Sequence, residues 1–178
     1  MTKKCVKCKK VKSLDDFGKR KDTKDGIDYY CKECHRVKHL TYRNTERGYL
    51  YSLYNEIVRT DRPKKKCHFT FKEFYDFFER HKYKYGMKSA WGPGVDQLEK
   101  HLPITMIAKG DPAWNIGKGK RTASNLSVDR LDSSKDYTLQ NVIFIRNDEN
   151  SRKNSSSYED CKIQIKLHED RFIRMRAI

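Results

Sequence analysis

Apolar side chains recur along this chain with two different periods. Between Thr45 and about Arg59, Leu50, Leu53, Tyr54 and Ile57 fall at i, i+3, i+4 and i+7, which puts them on one face of a helix. Arg62-Pro63 closes that segment, because proline disfavours helical backbone at the residue before it. A second helix starts at Thr70, where Thr70-Phe71-Lys72-Glu73 reads as a capping box, and Phe71, Phe74, Tyr75 and Phe78 share one face. An aromatic stripe of this kind is core packing.

From Asn125 the period changes to two. Leu126 and Val128 alternate with polar residues, Asp132-Ser133-Ser134-Lys135-Asp136 supplies a turn, and Val142 and Phe144 resume the alternation through Ile145. This predicts a β-hairpin, and the polar, breaker-free residues 146–154 predict a short helix directly after it. Beyond Ser155-Ser156-Ser157, the spacing of Tyr158, Cys161, Ile165, His168 and Phe172 suggests a closing helix, although Ile163, Ile165 and Leu167 also alternate as a strand would. Residues 86–121 hold six of the nine glycines, three of the four prolines and both tryptophans with little periodicity, so they read as a long irregular connection. Within it, Gly117-Lys118-Gly119-Lys120-Arg121 lacks phosphate-loop spacing and reads as a basic loop. The expected architecture is α+β: a small cysteine-bearing module over residues 1–40, a helical connecting region over 41–85, and a hairpin–helix unit with a C-terminal helix over 86–178.

Charge narrows the class of partner. The net charge is +16, and residues 1–66 carry 20 Lys and Arg against 9 Asp and Glu. Such a balance suits a polyanion, whether nucleic acid, an anionic surface or an acidic protein. No apolar run is long enough to span a membrane and no export signal follows Met1, so a cytoplasmic protein is expected.

The cysteines are more specific. Cys5-x2-Cys8 and Cys31-x2-Cys34 are two knuckles, each able to offer a pair of thiolates, and together they complete the tetrahedron that a structural Zn2+ takes. Two disulfides do not suit a chain without an export signal, and a redox pair does not suit two copies without a strand–helix context. With all four positions protein-filled, such an ion has no open site for chemistry. Cys67 and Cys161, outside the pattern, read as packed side chains.

Asp129 falls at the end of the first predicted strand, Asn141 opens the second and Asn150 lies on the following helix. A carboxylate and an amide oxygen brought together suit a hard divalent cation such as Mg2+, although a chance scatter of such residues reads the same way. The stretch from Ser127-Val128-Asp129-Arg130-Leu131-Asp132 through Tyr137-Thr138, with Asn141-Val142 and Asn150-x-x-Lys153, resembles the phage-type HNH endonucleases of the His-Me finger, or ββα-metal, superfamily. Many of these also carry an N-terminal four-cysteine zinc ribbon. The resemblance implies that Asp129 and Asn150 are ligands of a catalytic divalent metal, and that Asn141 ties down the hairpin turn. It departs from the family at Arg130, where many members have a histidine acting as general base. A guanidinium stays protonated, so Arg130 is expected to contact phosphate instead. His101 or Asp132 then remains as a candidate base, unless no side chain serves.

What the resemblance implies is a Mg2+-dependent endonuclease acting on double-stranded DNA, with a homing or genome-processing role. Lys3, Lys4, Lys7, Lys9, Lys10 and Lys12, with the Arg62–Lys66 patch, would hold the backbone. A non-catalytic DNA-binding regulator, a junction-resolving nuclease and an RNA-binding ribbon protein are the rival readings.

Overall fold

The computed structural model describes residues 1–59, 65–92, 95–115 and 122–153. The expected closing helix, the loop Gly117–Arg121, Cys161 and His168 lie outside them, as do Arg62, Pro63 and Lys64 of the basic patch. The architecture is α+β, with small hairpins and four α-helices among the described residues.

The N-terminal module is two short antiparallel hairpins: β1 (Thr2–Lys4) with β2 (Val11–Ser13), and β3 (Phe17–Lys19) with β4 (Ile27–Cys31). Its buried core is only Cys5, Cys31 and Phe17. So little apolar area cannot offset the entropy of ordering the segment, which leaves a cross-link among the cysteines as the organising interaction.

Helix α1 (Lys32–Arg43) starts at the second knuckle, with Cys31 as its N-cap and no side chain capping it. None of its twelve residues is buried, which is why no apolar stripe announces it in the sequence. Its far end is pinned by Asn44, whose Nδ2 donates to Asp111 (2.8 Å) and whose Oδ1 accepts from the Ala108 amide (3.1 Å). Helix α2 (Glu46–Val58) follows at once, capped by Thr45 Oγ1, which accepts from the Gly48 amide at 3.1 Å. A Cβ at Gly48 would stand 1.9 Å from the Tyr42 carbonyl oxygen, so glycine is what lets α1 end against α2.

Helix α3 (Phe71–Tyr85) carries the expected capping box in full: Thr70 Oγ1 accepts from the Glu73 amide, and Glu73 accepts from the Thr70 amide at 2.7 Å. Gly86, at φ 67°, ends it. Strands β5 (Leu126–Arg130) and β6 (Val142–Arg146) pair antiparallel with Val128 opposite Phe144 and Asp129 opposite Ile143. The alternation sends Leu126, Val142 and Phe144 into the same core as Leu50 and Leu53 of α2 and Phe74 and Phe78 of α3. Phe144 is its centre, with the rings of Phe74, Phe77, Phe78 and His81 all between 5.1 and 5.5 Å away. The two helices thus pack on the hairpin as well as on each other. Helix α4 (Asn147–Lys153) covers the opposite face of the hairpin.

The connection expected to be irregular is irregular but anchored. The Ala90 amide donates to Phe144 O and the Leu126 amide to Thr105 O. Asn125, fully buried, accepts from Thr105 Oγ1 and the Ile107 amide and donates to Ile107 O. At the other end of the hairpin, residues 66–68 bridge to the turn: Tyr137 N donates to Lys66 O, and His68 N to Tyr137 O, each at 2.9 Å.

Two outcomes follow for stability. Phe144→Ala is expected to cost about 3–5 kcal/mol in chemical denaturation, because four rings lose their common partner. His81 donates its Nε2–H to Lys88 O at 2.8 Å, and burial lowers its pKa from 6.5 to about 4. A depressed folded-state pKa favours the neutral form, so its contribution is complete above pH 6.5 and is lost as the pH falls to about 4. The wild-type protein should therefore lose roughly 2–3 kcal/mol across that window that His81→Phe does not lose, measured by denaturation at each pH.

Candidate functional site

The first site is the cysteine cluster. The Sγ atoms of Cys5, Cys8, Cys31 and Cys34 lie within 4.8 Å of one another, with Cys5 and Cys34 3.7 Å apart. A tetrahedral zinc with bonds of about 2.3 Å places its sulfurs about 3.8 Å apart, so the cluster can hold such a metal. Burial raises the pKa of the Cys5 thiol, but backbone N–H groups of Cys31, Cys8 and Lys7 outweigh it and bring the group down to about 6. Burial and the neighbouring sulfurs push Cys34 up to about 12. A dication among the four sulfurs removes that mutual repulsion. It also places the site's net negative charge at the N-terminus of α1, where the helix dipole favours it.

The second site is the seam between β5 and α4. Ser127 and Asp129 project from the hairpin face that α4 covers, and Asn150 and Lys153, one turn apart on α4, reach down to them. Asn150 Nδ2 donates to Ser127 Oγ at 2.8 Å and to Val128 O at 3.4 Å, which leaves Oδ1 as the atom this amide can offer to a ligand. Asp129 Oδ2 is buried, lies 3.0 Å from Lys153 Nζ and accepts no hydrogen bond. The ammonium meets that oxygen outside hydrogen-bond geometry, and it donates to Arg130 O at 2.9 Å and Ser133 Oγ at 3.2 Å. One carboxylate and one amide oxygen on a common seam are the donor types a hard cation takes. They are joined through β5 and not by a bond to each other.

Asn141 lies where the turn needs it. Its Oδ1 accepts from the Asp132 amide (2.8 Å), and its Nδ2 donates to the carbonyls of Asp132 (3.1 Å) and Asp136 (2.9 Å). Asp132 is occupied within the same turn, where the Ser134 hydroxyl and amide, then Lys135, hold its carboxyl down to about 2. A carboxylate that acidic is a poor proton acceptor near neutrality.

Two candidate residues are not brought to Asp129. Arg130 alternates to the other face of the strand, where its guanidinium lies 4.9 Å from the centre of the Tyr137 ring and donates to Lys135 O at 2.7 Å. His101 is buried beside β6, with Nδ1 2.7 Å from Ser89 O. Gly92 lies directly over its ring, where a Cβ would come within 2.8 Å. Lys153 was visible in the sequence only as the end of Asn150-x-x-Lys153. The signal that it matters is its burial, because a lysine is almost never fully covered unless it is paired. A separate groove of about 600 Å3, lined by Tyr30, Val37 and Tyr42 with Lys7 and Lys38, runs along α1 away from the seam.

No family model, no curated protein and no solved structure matches this chain.

Chelation of metal, or Cys31→Ser, is expected to make residues 1–43 protease-sensitive and to lower the far-UV helical signal by the share due to α1. The cooperative melting of the α2–α3–hairpin core should survive. Asn141→Ala, which removes three hydrogen bonds made by a buried side chain to a half-buried turn, should cost about 2–3 kcal/mol in denaturant titration.

Proposed function

We propose that this protein is a divalent-metal-dependent DNA endonuclease of the HNH, or ββα-metal, kind, carrying a four-cysteine zinc ribbon at its N-terminus. The observation that carries this reading is the seam: Asp129 from the end of β5 and Asn150 from α4 present oxygen donors on one face of a hairpin whose turn is fixed by Asn141. A Mg2+ ion held by Asp129 and Asn150 would supply Lewis-acid stabilisation of charge developing on the phosphate and its leaving oxygen. The protein's own contribution is to hold those donors rigidly. Ser127 orients the Asn150 amide, Lys153 steadies the Asp129 carboxylate, and Asn141 aims the end of β5. In this reading Arg130 braces the turn, and His101 packs beside β6. The lysines of the N-terminal module and of residues 65–66 grip the phosphate backbone, which makes binding steeply salt-dependent.

A non-catalytic DNA-binding regulator is the second reading. It draws support from the Asp129–Lys153 pair, which leaves the seam electrically neutral. The two readings separate on supercoiled plasmid with Mg2+. The nuclease nicks or linearises it, EDTA abolishes the activity, and Asp129→Ala and Asn150→Ala each reduce the rate by roughly a hundredfold. Intact plasmid with retained, salt-sensitive binding would establish the regulator, and cleavage confined to branched DNA would establish a junction-resolving enzyme.

A further inference from the structure

Lys153 is one of the largest fully buried side chains in the described structure, and its charge faces the one buried side-chain oxygen there that lacks a hydrogen bond. Arg130 O and Ser133 Oγ accept two of the three ammonium protons, and Asp129 Oδ2 lies 3.0 Å away outside hydrogen-bond geometry. What it does to Asp129 is electrostatic. The carboxylate is the only anionic donor the seam offers among the residues assigned to it, and Lys153 neutralises it before any metal arrives.

Magnesium-type ions hold their waters tightly and are captured by a carboxylate acting with substrate phosphate oxygens. A neutral Asp129–Lys153 pair plus one amide gives such an ion no net attraction and sets it against a fixed positive charge. A phosphodiester supplies the missing negative charge. Resting on the nuclease reading, we infer that Lys153 is an internal counter-ion that makes divalent-cation binding at Asp129 conditional on a bound phosphodiester. Lys153 is then a positioning residue, acting through Asp129 on the order in which metal and DNA are held. The apo protein then holds free metal only weakly at the hairpin site, and the pair yields to a cation more readily when a DNA strand lies across the seam.

The test is Mn2+ binding by electron paramagnetic resonance on the full chain with its cysteine site filled by zinc. It is run with and without a short phosphorothioate duplex that slows hydrolysis. Asp129→Ala provides the background to subtract. Wild-type protein should show Asp129-dependent Mn2+ binding that strengthens roughly tenfold or more when the duplex is added. Lys153→Met and Lys153→Gln should each bind Mn2+ roughly tenfold tighter than wild type without the duplex, and lose most of the enhancement. The Gln variant keeps amide donors for Arg130 O and Ser133 Oγ, so it stands in if the Met variant fails to fold. A lysine that only packs the seam would leave the duplex-dependent enhancement intact when replaced. Unchanged or weaker duplex-free affinity in a cooperatively melting Lys153 variant overturns the inference and leaves the nuclease reading standing. If wild type and Asp129→Ala bind Mn2+ alike even with the duplex, the nuclease reading falls and the inference falls with it.

Discussion

The register of β5 against β6 is the constraint on which the rest of this molecule depends. Side chains alternate across a strand, so the pairing of Val128 with Phe144 decides at once that Phe144 enters the aromatic core and that Asp129 faces α4. A slip of β5 by one residue would turn its faces over and bury a carboxylate among phenylalanines, and a slip of β6 would pull Phe144 out of the helices. Both faces of the hairpin are covered, which is why its burial does not alternate as an exposed sheet's would. The core of α2 and α3 and the seam under α4 are therefore specified by the same ladder, and Asn141 holds its closed end.

The N-terminal module is organised by a different force. It has almost no apolar core, and its second knuckle is also the first turn of α1, so a metal that orders the sulfurs orders the helix start as well. The far end of α1 depends on something unrelated, the close approach that Gly48 permits and the two hydrogen bonds of Asn44. One helix is thus fixed at its two ends by chemistry of two kinds.

Much of the fold was legible wherever a local rule and the tertiary context agree. The Thr70–Glu73 box, the stripe of α2 and the alternation of Leu126, Val128, Val142 and Phe144 each state their element outright, and the four cysteines declare their cluster by spacing. Helix α1 was not legible, because it buries no face and its cap is a cysteine knuckle without a capping side chain. The anchoring of residues 86–115 was hidden because it runs through single buried polar groups such as Asn125 and Ser89, which leave no period. At the seam, position in the sequence picked out Asp129 and Asn150, and the alternation already set Arg130 on the face opposite Asp129, but it could not show the Tyr137 ring that Arg130 meets there. Nor could it show that Lys153 is wholly buried, since a lysine near the end of a polar helix ordinarily reaches solvent.

Helix α1 carries a further consequence in its length. Twelve residues at about 1.5 Å each make a rod of about 18 Å. The rod adds this distance between the cysteine cluster and the first turn of the core. It works as a spacer whose calibration is the helical rise itself.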